Sequence, residues 1–164
     1  MNAEASPEIG FTPENALGIL VCHVCRYFET LGGARPELGE ASLELRPPER
    51  LARTGYMSVS GAAEGWIALS LPDPLLHRIL DLLGEPQRDA AALLDLVAEM
   101  AGVITSNARA EYGDKLRVAP PFAVSAADPE PPLRRPPCAL KLPFRWERHD
   151  AFLLIALLPP PSTP

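Results

Sequence analysis

From Ala90 to Tyr112 the chain reads as one long helix with two chemically different sides, and the rest of the domain must pack against the apolar one. At about 100° per residue, Leu93, Val97, Met100, Ala101, Ile104 and Ala108 gather on the side expected to face a core. Asp95, Glu99, Gly102, Ser106 and Arg109 fall within about 80° of one another on the opposite side. Gly113 is placed to end the helix. A polar stripe opposite an apolar one is ordinarily just a solvated surface. Gly102 sets this stripe apart, because glycine in a helix interior costs about 1 kcal/mol relative to alanine. Such a residue often marks a place where something approaches the backbone closely. Since Gly102 points away from the apolar side, packing within the domain is the less favoured reason for it.

The flanking segments supply what the long helix packs on. Thr12-Pro13-Glu14 combines a capping hydroxyl, a proline for the first helical position and an acid for the helix dipole. Leu17, Leu20, Val21, Val24, Phe28 and Leu31 follow at helical spacing, and Gly32-Gly33 stop that helix. Strands are expected at 42–46, 53–60 and 65–71, the last two joined by the turn Gly61-Ala62-Ala63-Glu64. On the second arm Trp66, Ala68 and Ser70 share one face, and Ile67, Leu69 and Leu71 the other. Asp73-Pro74 opens a short helix closed by Gly84. Further strands are expected at 115–119, 138–146 and 150–158. Between the first two of these lies 120–137, with seven prolines, which reads as an exposed loop of extended or polyproline II backbone. The tail 159–164 reads as a frayed end.

The elements imply a single α+β domain over 1–164, with its core at about 12–158. Its expected architecture is an antiparallel sheet of about six strands with helices packed on one face. The 164 residues are 47% hydrophobic and 22% charged, as in ordinary globular chains. A net charge of −6 gives no electrostatic case for nucleic acid or an anionic membrane. The most apolar run, Ala151 to Leu158, has eight residues where a membrane span needs about 20, so no membrane span is expected. The first basic residue is Arg26, so no signal peptide is read, and a cytoplasmic location is the expectation. Cys22, Cys25 and Cys138 are an odd number of thiols without an export signal, and are read as reduced.

Other chemistry is thinly represented. Cys22-His23-Val24-Cys25 has C-x-x-C spacing, but it lies inside a helix with no second ligand pair nearby in sequence. His77 and His149 have no metal-like companion, and Asp81, Asp89 and Asp95 are spread along helices. No phosphate-binding glycine loop or nucleophile elbow is present. No metal and no cofactor of the chain's own are therefore expected. Trp66 and Trp146 are read as core or interface residues.

Glu99-Met100-Ala101-Gly102, then Ser106-Asn107-Ala108, then a strand leading into Pro120-Pro121, resembles the signature of the chemotaxis phosphatases of the CheX/CheC/FliY family. The family pattern is [D/S]-x-x-x-E-x-x-N, with Gly-Asn-Ala about one turn later. Asp95 and Glu99 match its first two positions and Asn107-Ala108 the later pair. Gly102 stands at the position of the catalytic asparagine, Ser106 at that of the glycine, and the proline pair arrives a few residues early. The order of elements over 12–158 is also CheX-like, including the strand Trp66-Ile67-Ala68-Leu69-Ser70-Leu71-Pro72 and the helix ending in Leu82-Leu83-Gly84.

The resemblance implies docking on a phosphorylated response-regulator receiver domain, and a homodimer. It implies that Glu99 pairs with a receiver lysine, while Asp95, Ser106 and Arg109 border the partner. In the family the asparagine orients a water for in-line attack on an aspartyl phosphate, where positioning supplies much of the rate. Glycine has no side chain for this. Asn107 lies eight residues beyond Glu99, about 80° round the helix and about 12 Å along it, and is no direct substitute. The expectation is a CheX-like domain that keeps regulator docking with phosphatase activity weak or lost. An active phosphatase and a non-catalytic scaffold on the same fold are the alternatives.

Overall fold

The computed structural model describes residues 13–46, 48–134 and 136–158. The chain runs through α1 (Pro13–Gly32), β1 (Glu37–Leu38), β2 (Ser42–Glu44), β3 (Arg53–Gly61), β4 (Glu64–Leu71), α2 (Asp73–Leu83) and α3 (Ala90–Tyr112). A 3-10 turn (Gly113–Lys115), β5 (Leu116–Val118), β6 (Phe122–Ser125), β7 (Ala139–Trp146) and β8 (His149–Leu158) follow. The capping threonine expected at Thr12 and the tail 159–164 lie outside the described residues. Helix ends follow the local chemistry. Gly84 takes the left-handed conformation (φ 69°) that closes α2. The carboxylate of Asp89 accepts the Ala92 amide at 2.9 Å and caps α3.

Among the described residues all strand pairs are antiparallel and belong to one sheet, in the order β1-β7-β8-β4-β3-β5, with β2 also on β7 and β6 also on β3. The sheet is thus six places wide, but it contains eight strands rather than the six expected. Two short strands share each edge place. β1 is only two residues long. β6 falls inside 120–137, which corrects the reading of that stretch as a loop throughout. Residues 122–128 are free of proline, so the amides of Phe122–Ser125 can pair with Arg53–Tyr56 of β3 at the sheet's edge.

Side-chain alternation assigns the two faces of the sheet. Ile67, Leu69 and Leu71 of β4 and Leu153, Ile155 and Leu157 of β8 join α1, α2 and α3 in the main core. Trp146 is buried in it, its indole donating to the Ala34 carbonyl at 2.8 Å and its ring 5.1 Å from that of Phe28. On the opposite face Tyr56, Ala68, Phe152 and Leu154 form a second, smaller cluster joined by Trp66, Phe122 and Leu133. The proline-rich segment after β6 crosses this face. Leu133 packs on the cluster, the Trp66 indole donates to the Arg134 carbonyl at 3.0 Å, and Arg50 donates to the Asp128 carbonyl. That segment is therefore a strap over the back of the sheet. It also explains why β8 reads as an unbroken apolar run: from Ala151 to Leu157 every residue is buried, because both faces are covered.

Candidate docking site on the long helix

α3 lies directly on β3. A Cβ on Gly55 would come within 2.3 Å of the Val97 carbonyl oxygen, so only glycine lets the helix backbone approach this closely. The predicted apolar side, Leu93 through Ala108, is buried as a set. By length and composition, α3 continued to Lys115 also passes for a membrane span, but its apolar side is occupied by the sheet.

The outer stripe divides into three regions. Asp95, Glu99 and Ser106 are exposed, and neither carboxylate has an ion-pair partner among the described residues. Gly102, expected to be open, is buried. After β5 the chain turns back over α3 on its way to β6, and Pro121 comes to rest on Gly102. A Cβ there would lie 3.0 Å from Pro121 Cγ and 3.5 Å from its Cβ. Gly102 is thus packed against another segment of the domain, which helical periodicity disfavoured. Periodicity places a residue around a helix but says nothing of a loop arriving from 19 positions later. Arg109 is half-buried, and its Nε donates to the Leu116 carbonyl at 2.7 Å, tying the start of β5 to the helix. Asn107 is exposed and lines the groove between α3 and α1, two turns beyond Glu99 along the helix.

Two residues of α1 also belong to this surface: Tyr27, which no sequence pattern marked, and His23, noted only as part of the C-x-x-C stretch. Tyr27 is half-buried against α3, with its ring edge-on to Phe28 at 5.7 Å. Burial, and next the negative charge of Glu99, push its phenol up to about 12. Tyr27 is thus a neutral hydroxyl near Glu99 at any ordinary pH. His23, buried within the C-x-x-C stretch, makes a 2.8 Å contact with Glu111. Cys25 is buried and Cys22 exposed. Among the described residues no group of three or more His, Cys, Asp or Glu side chains could hold a metal ion. The surface offers two unpaired carboxylates on one helix face, able to pair with a cation or accept hydrogen bonds, and no amide beside them.

Structural comparison defines the class. A CheC-like superfamily protein from Shewanella sp. PV-4 superposes with a TM-score of 0.75 at 18% identity, over 88% of this chain and 97% of that one. The chemotaxis protein CheX from Vibrio vulnificus gives 0.71 at 19% identity, over 88% and 99%. A chain of the CheX–CheY–BeF3–Mg2+ complex from Borrelia burgdorferi gives 0.66 at 15% identity, over 89% and 97%. These likenesses establish a CheC/CheX-type fold, mixed helix and antiparallel sheet, as expected from the order of elements. No curated protein matches the chain by sequence. The family model described as "Chemotaxis phosphatase CheX" matches residues 53–142, more than half of the chain. The chain belongs to the CheX family.

Proposed function

We propose that this chain docks on a phosphorylated response-regulator receiver domain through the exposed side of α3, with aspartyl-phosphate phosphatase activity weak or lost. Family membership supports the partner class, as does the likeness to a chain of a CheX–CheY complex. In this reading Glu99 pairs with a receiver lysine and Asp95 and Ser106 border the contact. Arg109 contributes by holding β5 in place, since its guanidinium is already bonded to Leu116. The protein then works in the cytoplasm, where receiver domains are phosphorylated.

The observation that carries the loss of activity is Gly102 beneath Pro121. The resemblance puts the water-orienting amide at this position. Here the space just outside the helix backbone is filled by a proline ring, which can neither donate to a water nor point one at phosphorus. Asn107 opens onto the neighbouring groove and stands too far along the helix to replace it.

The test is receiver dephosphorylation and binding, measured for wild type, Glu99→Ala and Gly102→Asn. Binding without acceleration, weakened by Glu99→Ala, supports the proposal. If wild type accelerates phosphate loss and Glu99→Ala abolishes that, the chain is an active phosphatase and the importance assigned to Gly102 is wrong. If no phosphorylated receiver binds, the docking reading falls and a scaffold role on the same fold replaces it.

A further inference from the structure

A groove of about 560 Å3, open to solvent, lies between α1, α3 and the end of α2. Tyr27 and Leu31 line one side and Val103 and Asn107 the other, with Leu83 closing one end and Arg26 on the lip. Among the described residues five large apolar side chains are exposed. Leu38, Leu43 and Leu45 belong to the β1–β2 stretch, while Leu83 at 47% and Val103 at 39% are both in this groove. The groove is therefore the place on the helical side where wet aliphatic surface remains to be covered, at about 25 cal/mol per Å2.

The groove adjoins the proposed contact. Val103 is one turn beyond Glu99 on the same helix, about 40° round, so a body resting on Glu99 meets Val103 as well. Arg26 on α1 lines the groove and Glu99 stands one turn before Val103 on α3, each without an ion-pair partner among the described residues. A partner satisfying both presents a base toward Glu99 and an acid toward Arg26.

We infer that this groove receives an amphipathic helix of the receiver-domain partner, with an aliphatic side chain seated between Val103 and Leu83 and opposite charges toward Glu99 and Arg26. The inference rests on the docking reading above and deepens it. The interface is then a three-helix surface, with the carboxylate as its polar margin and the groove as its apolar centre.

The experiment measures the dissociation constant of the full chain for a receiver domain activated with beryllofluoride and Mg2+, at low and high salt. Wild type is compared with Glu99→Ala, Arg26→Glu, Val103→Ser and Leu83→Ser. Val103→Ser and Leu83→Ser are expected to weaken binding about fivefold or more each, with little dependence on salt. The Arg26→Glu loss is expected to shrink as salt screens it. If Glu99→Ala weakens binding while both serine variants stay within about twofold of wild type, the groove is outside the interface and only the Glu99 contact survives. If the serine variants leave receiver binding intact and instead dissociate a homodimer in sedimentation, the occupant is a second copy and the inference is overturned. If wild type binds no activated receiver, both readings fall together.

Discussion

Two glycines touched by neighbouring elements invite opposite responses to the same change. Gly102→Ala adds a methyl to the interior of α3, where exchanging glycine for alanine is worth about 1 kcal/mol of helix stability. Against that stands the 3.0 Å approach to Pro121 Cγ, which asks the ring to yield by a few tenths of an ångström. Pro120 and Pro121 are exposed, and the neighbour is a side-chain atom free to change pucker, so yielding costs a fraction of the gain. The net expectation is a change between zero and about 1 kcal/mol in favour of the variant. Gly55→Ala meets the Val97 carbonyl oxygen at 2.3 Å and the Ala101 Cβ at 3.1 Å. Relief there means lifting the whole of α3 off the sheet, and the expected loss is about 3 kcal/mol or more. Urea unfolding followed by helical circular dichroism reads both as shifts of the midpoint at constant slope. If Gly102→Ala costs about 2 kcal/mol or more, Pro121 is held rigidly and no side chain can be restored at that position without moving the loop. If Gly55→Ala leaves the midpoint unchanged, the close seating of α3 on β3 is wrong.

Other consequences can be measured as simply. Glu147 and Arg148 join β7 to β8 with φ of 46° and 71°, a two-residue turn that ordinarily calls for asparagine and glycine. Arg148→Gly is expected to raise stability by up to about 1 kcal/mol, and a fall in the urea midpoint would refute the strain. Glu147 is better left alone, since it holds Arg78 at 2.7 Å. The raised pKa of Tyr27 means that the fold favours the neutral phenol. The stability this contributes is complete below the ordinary value of 10.0 and is lost as pH rises through about 12. Glu99→Gln should lower the Tyr27 pKa but leave it above 10.0, because burial is the larger cause. Tyrosinate absorbance in a chain with Tyr56 and Tyr112 changed to Phe reads this directly, and an unmoved titration would place Glu99 away from Tyr27.

Much of the fold was legible because its signals are local. Gly84 and Gly113 end their helices where expected, and the two faces of β4 follow from alternation alone. What sequence reasoning missed depends on contacts between distant segments. β6 hides among prolines because its pairing partner, Arg53–Tyr56, lies some 70 residues earlier. The strap of 126–134 reads as a polar loop until Leu133 and the Arg134 carbonyl are seen to meet the back of the sheet. At the candidate site, Asp95 and Glu99 were visible as a stripe with helical spacing. The cover on Gly102, the carbonyl tie of Arg109, and the groove between Val103 and Tyr27 were not, since each requires knowing how α3 lies against another segment.

The place of β8 bears on how the chain is made. It is the eighth strand in sequence but the third across the sheet, with Leu158 paired to Glu64 and Trp146 to His149. A chain emerging from the ribosome amino end first can close the β3–β4 hairpin and form α1, α2 and α3 early. It must then hold the edge of β4 unpaired, with Ile67 and Leu69 on one side and Trp66 on the other, until 149–158 arrives. Such late, long-range closure is slow and leaves a sticky edge exposed meanwhile. A chain interrupted anywhere before 149 keeps that edge open permanently, so nascent and broken copies of this protein are predicted to be bound by chaperones far more than the finished fold.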